Sequence, residues 1–363
     1  MKIQSCNLEN FRNIEGARLR FESDRVFFVG SNGQGKSNLL EGLGLLQAVR
    51  SFRTSDLRNL IRREQKQTGL FFELETAAPN LETVLLKLNR SEGRSVEVNG
   101  ELCPTLGDFL SRFPAIVLAT DDIQIIRGAP ALRRRVLDLH FASSRAGYYE
   151  NLRIFTRGLA ARNRLLKKGA TDSEIHAHDH PLAQAAATLI SHRIEGSARI
   201  TPLFSTVFEK ISGGLDNPNL RLKSSSSDEI SADAIREKWK LNLAKDRFLG
   251  STQSGPHRDD WVFSTDSVTA RDFASDGQQR NLAIAFKLAL FQDLNEILPE
   301  TPVLLIDDIL GELDSKRRRA FWETLPPDCQ VFATGTEFDP GRHPGDWQVF
   351  EVVAGKFVEK SVS

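Results

Sequence analysis

The residues Gly30-Ser31-Asn32-Gly33-Gln34-Gly35-Lys36-Ser37 constrain this chain more tightly than any other stretch. They fit G-x-x-x-x-G-K-[ST], a P-loop. The flanks supply the context that such a loop needs. Val26-Phe27-Phe28-Val29 is a short apolar run of β-formers and reads as a buried strand entering the loop. The stretch from Asn38-Leu39-Leu40-Glu41-Gly42-Leu43 onward reads as a helix leaving it. Glycines let backbone wrap closely round phosphates. The loop N–H groups and the helix N-terminus then face the anion. In that geometry Gly30 to Gly35 form the cradle and Lys36 reaches the β- and γ-phosphates of ATP. The Ser37 hydroxyl is the expected ligand of Mg²⁺.

A second half of the same site is expected far downstream. Val303-Leu304-Leu305-Ile306-Asp307-Asp308 is an apolar run ending in two carboxylates. It reads as a buried parallel strand that delivers acids to its C-terminal edge, where α/β sheets bind ligands. Asp307 is the expected holder of Mg²⁺, and Asp308 the group that orients or deprotonates an attacking water. Lys36 and Asp307 lie 271 positions apart (307 − 36), so a large insertion separates two parts of one site.

Bulk properties set the frame for that insertion. A chain of 363 residues is long enough for two or three domains. No run of about 18 apolar residues predicts a membrane span, and the polar turn after Met1-Lys2-Ile3 does not read as a signal peptide. The scattered Cys6, Cys103 and Cys329 suit a reducing cytoplasm better than a disulfide framework. With 48 basic and 48 acidic residues, net charge says nothing about nucleic acid, so the distribution must decide.

Ile3 to Leu8 and Arg18 to Phe21 read as strands joined through Asn10-Phe11-Arg12-Asn13. Phe71 to Glu75, Thr83 to Leu88 and Ser95 to Val98 read as antiparallel strands, with Asn99-Gly100 as a hairpin turn. Phe113 to Ala119 is a further apolar strand. From residue 124 to about 248 the pattern turns helical, with no convincing strand. Between 124 and 175 there are 11 Lys or Arg against 4 Asp or Glu. Such a face can neutralise phosphates and steer DNA, with Arg133, Arg134, Arg135, Arg162 and Lys167 as candidate contacts. His176, His178 and His180 resemble a metal cluster, but 178 points away from 176 and 180 on a helix, and Pro181 favours a solvated turn. Leu215 to Ile235 reads as a surface loop. After 249 the segment Ser254 to Asp260 is expected to be too polar for a core. Ser275-Asp276-Gly277-Gln278-Gln279-Arg280 opens an amphipathic helix, Asn281 to Leu298, whose N-terminus is an anion site without a lysine. Gln330 to Thr334 is a buried strand, and Trp347 to Lys356 an edge hairpin.

A P-loop, a Ser-x-Gly-Gln-Gln-Arg segment opening a helix, a strand ending Asp-Asp and then Gly311-Glu312-Leu313-Asp314 together resemble the ABC-type ATPase head of SMC proteins. Without long coiled coils between the halves, the chain is most similar to the compact RecF family over its whole length. Asn10-Phe11-Arg12-Asn13, Ser51-Phe52-Arg53-Thr54-Ser55, Arg127-Gly128-x-Pro130 and Gly255-Pro256-His257-Arg258-Asp259-Asp260 carry that similarity. The chain departs from the family at Phe52, where His is usual, and at Asp276, where Gln is common.

The resemblance implies an α/β fold: an ABC-type head with a mixed sheet and an antiparallel β subdomain, and an inserted, mostly helical arm. The expected domains are residues 1–123 and 249–363 for the two halves of the head and 124–248 for the arm. It further implies nucleotide contacts from Arg12 and Asn13. Ser275, Gly277 and Gln278 would bind the γ-phosphate held by a second subunit in an ATP-dependent homodimer. Binding of single- and double-stranded DNA at gaps, recruitment of RecR and RecO to help load RecA, and slow ATP hydrolysis complete the implied activity. A small-molecule phosphotransferase would leave the Ser-x-Gly-Gln segment without a use. A transporter subunit would leave the basic helices without one.

Overall fold

The chain is described by a computed structural model that covers every residue except 104, 178, 215, 216, 226–229, 362 and 363, and the side chain of 108. It divides into two compact units. One comprises residues 1–123, 207–215 and 283–363, the other 124–206 and 216–282.

In the first unit, alternation of apolar and polar residues builds an antiparallel sheet of six strands. Lys2–Phe11 pairs with Ile14–Arg20 on one side and Gln67–Glu75 on the other, and Glu82–Asn89, Gly93–Val98 and Glu101–Leu102 continue the order. Thr68, Leu70, Phe72 and Leu74 turn inward while their neighbours face out, the period-two signature of a half-buried strand. Asn99 and Gly100, at φ 53° and 80°, supply the left-handed pair of a tight hairpin. The first two strands run longer than their alternation suggests, so Asn10 and Phe11 belong to the strand and the turn narrows to Arg12 and Asn13.

The second sheet is mixed. Its order is Lys356–Lys360, Gln348–Val353, Arg25–Val29, Val331–Gly335, Val303–Asp307, Ala115–Ala119. All neighbours are parallel except the first pair. Val303 to Ile306 are all buried, as strands covered on both faces must be. Gln348–Val353 lies inside the sheet and only Lys356–Lys360 is at its edge, which corrects the expected edge hairpin. Helix Lys36–Ala48 buries Leu39, Leu40, Leu43, Leu45 and Leu46. These side chains share one core with Leu8, Leu70 and Phe72 of the first sheet and Val117, Leu305 and Phe332 of the second. Each fully buried Leu or Phe contributes about 1.5–3 kcal/mol. Phe52 packs against this core, so its ring makes an apolar contact.

The second unit is mostly helical, with Pro130–Ser144, Tyr148–Lys168, Ala232–Leu241 and Leu243–Leu249 and the greater part of Asp179–Ser212. It also holds a three-stranded sheet of Val268–Thr269, Asp260–Thr265 and Pro218–Lys223. Pro218–Lys223 corrects the expectation of a loop over Leu215 to Ile235. Its sequence, Pro-Asn-Leu-Arg-Leu-Lys, is too short and charged to stand out, and its partner lies some forty residues downstream. Residues 249–282, read from sequence with the C-terminal half of the head, group with this unit.

Charged residues inside the second unit overturn two further expectations. The segment Ser254 to Asp260 is largely interior: Ser254, Pro256 and Asp259 are buried. Asp259 Oδ2 accepts from Arg193 Nη1 at 2.8 Å, and Arg193 also donates to Asp138 at 2.6 Å and to the Tyr148 hydroxyl at 3.0 Å. Trp261 lies under the guanidinium, 5.5 Å from ring centroid to Cζ. Burial holds His257 near a pKa of about 4, and its Nε2 faces the Thr252 carbonyl at 2.8 Å, so the neutral ring donates there. Second, Arg133 and Arg162 are not surface cations. Arg133 forks onto Asp260 at 2.7 and 3.0 Å. Arg162 has no exposed side-chain surface and pairs with Asp179 at 3.1 Å and Asp246 at 2.8 Å. Polar pairing of this kind is what lets an arginine be buried at all.

Replacing Arg193 by Ala leaves the buried Asp259 and the partly buried Asp138 without their cation. Urea denaturation of the second unit is expected to show a loss of roughly 3–5 kcal/mol. The exposed Lys168→Ala is expected to stay within about 0.5 kcal/mol of wild type.

Candidate functional site

The loop between strand Arg25–Val29 and helix Lys36–Ala48 is held open by its glycines. Gly33 and Gly35 sit at φ 80° and 119°, values that side chains rarely adopt. A Cβ on Gly35 would also come within 3.0 Å of the Asn13 side chain. Helix Lys36–Ala48 has no side-chain cap, so its first N–H groups are left for an anion. Lys36 is buried, and its ammonium donates to the carbonyls of Gly30 at 2.6 Å and Ser31 at 3.1 Å. The ammonium is thus held over the loop where it would meet terminal phosphates.

The two ends of the sequence meet here. The Ser37 hydroxyl lies near the Asp307 carboxylate, close enough to oppose the rise in its pKa. Thr334 Oγ1 donates to Asp307 Oδ1 at 3.0 Å and accepts from the Asp308 N–H at 3.0 Å. Burial is the main cause of a raised Asp307 pKa, and the neighbouring Asp308 adds to it; Ser37 and Thr334 act against it. A hydroxyl beside a partly desolvated carboxylate is a hard-oxygen donor pair of the kind Mg²⁺ takes, so the residues present fit that ion. Asp308 stands at φ 58°, a left-handed conformation that Asp tolerates better than most residues.

Arg12 and Asn13 lie at the same loop. Asn13 Nδ2 donates to the Gln34 carbonyl at 3.2 Å, and Asn38 Nδ2 to Asn13 Oδ1 at 2.8 Å. Arg12 forks onto the fully buried Glu41 at 2.7 and 2.9 Å. Ser51 donates to the same carboxylate, and Arg53 reaches both Glu41 and, at 2.6 Å, Asn38. Glu41, Ser51 and Arg53 were not foreseen as site residues. The available signal was an isolated acid inside the apolar run Leu39 to Leu46, which implies a buried partner. From the far end of the chain, the N–H groups of Gly355 and Ala354 close on Gln34, each at 2.7 Å.

In the second unit, Ser275 is exposed at the start of helix Asp276–Ile297. Its N–H donates to Gln278 Oε1 at 2.8 Å, and its Oγ accepts from the Gln278 N–H at 3.3 Å. The helix is buried on most sides from Leu282 to Phe291 rather than amphipathic. Gln279 and Arg127, also not foreseen, bond to each other beside this turn. Of the basic candidates, Arg135 and Lys167 are exposed and Arg134 is half-buried, donating to the Asp259 carbonyl at 2.7 Å. His178 lies outside the described residues. His176 Nδ1 contacts Asp179 at 2.9 Å, and no metal-type cluster occurs among the described residues. No helix among them is long and apolar enough to cross a membrane.

A P-loop met by an acidic parallel strand, with an antiparallel β subdomain and a Ser-x-Gly-Gln helix start, defines an ABC-type ATPase head. The family model described as the RecF/RecN/SMC N terminal domain matches residues 2–336. The DNA replication and repair protein RecF of Leptospira interrogans is 34% identical over 366 residues, covering 98% of this chain and 99% of the relative. That of Alkaliphilus oremlandii is 30% identical, covering 98% and 100%. A solved structure described as the recombination mediator protein RecF-ATP in the RecFOR pathway superposes with a TM-score of 0.91 at 27% identity, covering 99% and 97%. A Smc head bound to a domain of ScpA shares the fold, with a TM-score of 0.56 at 17% identity. This chain belongs to the RecF family.

Because the folded protein raises the Asp307 pKa above its unfolded value, it binds this proton more readily than the unfolded chain does. That disfavours folding at pH values above the raised pKa, and the penalty fades as pH falls towards the unfolded carboxylate value. Asp307→Asn is therefore expected to raise the melting temperature of nucleotide-free protein at pH 7. The gain is expected to shrink in melts taken towards an acidic pH of about 4.

Proposed function

We propose that this chain is an ATP-driven switch that binds DNA in recombinational repair and replication. The observation that carries the reading is the approach of Ser37 of the P-loop to Asp307 of the acidic strand, which brings the two stretches into one site. The similarity to RecF proteins over nearly the whole chain supports the biological setting. ATP binds with its phosphates on the loop of Gly30 to Gly35, and the Lys36 ammonium leaves the Gly30 and Ser31 carbonyls for the β- and γ-oxygens. Ser37 and Asp307 hold Mg²⁺, which when bound neutralises charge on the transferring phosphoryl group. Asp308 orients the attacking water and takes its proton. Arg12, kept in place by Glu41, and Asn13 flank the nucleotide.

Ser275, Gly277 and Gln278 of one subunit cap the γ-phosphate held by another, so ATP bridges a homodimer and hydrolysis removes the shared ligand. The ligand thereby favours one of two states by differential contact. In the closed state the protein binds single- and double-stranded DNA at gaps. It works in the cytoplasm with RecR and RecO to help load RecA and support the SOS response, hydrolysing ATP weakly and faster on DNA.

Sedimentation with ATP, with ADP and with neither tests the switch. A dimer is expected only with ATP, and it should bind gapped duplex more tightly. Lys36→Ala removes charge-assisted hydrogen bonds of about 1.5–3 kcal/mol and is expected to weaken ATP binding by at least tenfold. Asp308→Asn is expected to trap the dimer. A wild-type monomer in every condition, or wild-type turnover in Asp308→Asn, would overturn the composite site.

The corrected arginines yield a separate expectation. Arg135→Gln and Lys167→Gln should each lower the slope of log affinity against log salt by about 1 without changing the fold. Arg133→Gln and Arg162→Gln should lower thermal stability instead, because both cations are internal. Salt titrations of DNA binding alongside melting curves separate the two outcomes.

A further inference from the structure

Arg127 ends the short helix Gln124–Arg127, 149 positions before Asp276. Its guanidinium meets the first turn of helix Asp276–Ile297 twice. Nη2 donates to the Asp276 carboxylate and Nε to the Gln279 side-chain oxygen. Gln279 is buried, and its amide donates in turn to the carbonyls of Ala270 at 2.9 Å and Ala274 at 3.0 Å. Ser275 and Gln278 close the same turn on each other. All of these residues lie in the second unit.

Asp276 stands between Ser275 and Gly277, the groups assigned above to a γ-phosphate, and its side chain is 86% exposed. A bare carboxylate there would repel the terminal phosphate that the turn has to receive. Arg127 is the cation that meets it. We infer that Arg127 is a positioning residue for the signature turn: it neutralises Asp276 and, through Gln279, fixes the backbone that presents Ser275 and Gly277 to the partner's nucleotide. The inference rests on the composite-site reading of the previous subsection.

The two halves of an ordinary structural ion pair behave alike when removed, because each leaves the other unpaired. Here they differ in sign. Arg127→Ala leaves an anion facing a phosphate, whereas Asp276→Asn leaves a cation there. Sedimentation equilibrium of the full chain with a non-hydrolysable ATP analogue, at low and high salt, reads the difference. Arg127→Ala is expected to weaken the dimer by on the order of tenfold, more so at low salt. Asp276→Asn is expected to tighten it several-fold, and Arg127→Ala/Asp276→Asn to return towards wild type. Binding of a fluorescent ATP analogue to the monomer should be the same in all of them, since the P-loop belongs to the first unit.

Two singles that weaken the dimer equally, or an Arg127→Ala dimer as tight as wild type, would overturn the inference alone. A wild type that never dimerises would overturn it together with the composite site. Should Arg127→Ala fail to fold, Asp276→Asn decides by itself: a tighter dimer supports the inference and a weaker one refutes it.

Discussion

The meeting of Ser37 and Asp307 is the constraint on which the rest of the head depends. It spans 270 positions of sequence (307 − 37). It forms because parallel strands of one sheet bring its ends together: Arg25–Val29 feeds the loop, and only Val331–Gly335 separates that strand from Val303–Asp307. Thr334, on the strand between, braces both Asp307 and the backbone of Asp308. Three non-consecutive segments are thus held at one sheet edge by a core drawn from both sheets. A dense core resists small displacements, which is what a site needs if its donors are to stay in place before a substrate arrives.

Much of this was legible in the sequence because its signals are local. The glycine spacing, the apolar strand before it and the Asp-Asp after an apolar run each need only a few residues to be read. Alternation revealed the antiparallel strands, although turn propensity at Asn10 cut the first one short. What escaped reading was non-local. The strand Pro218–Lys223 becomes a strand only through its pairing with Asp260–Thr265. Ser254 to Asp260 looked like a surface segment because composition does not reveal that Arg193, some sixty residues earlier, is buried against Asp259. Glu41 raised the same difficulty in the site itself, since the partners that make its burial tolerable lie on two other segments.

Counting charge along the second unit misled for a related reason. A run of arginines reads as a cationic surface, yet Arg133, Arg162 and Arg193 are interior struts with carboxylate partners. Arginine suits that role because its rigid fork can satisfy several acceptors at once. Arg193 does so with Asp138, Asp259 and the Tyr148 hydroxyl. The charge available to a polyanion is therefore smaller than the tally, and it resides in exposed positions such as Lys167 and Lys168.

The closing of Gln34 by Ala354 and Gly355 has a consequence for how the protein is made. Ribosomes add roughly 5–20 residues per second. The segments that finish the loop emerge 320 positions after it, hence roughly 16–64 s later at those rates. Through that interval a nascent chain carries the glycine-rich loop without its lid of backbone donors, and it carries Ser37 without Asp307 for most of it. The loop is among the first elements to leave the ribosome and among the last to acquire its native surroundings.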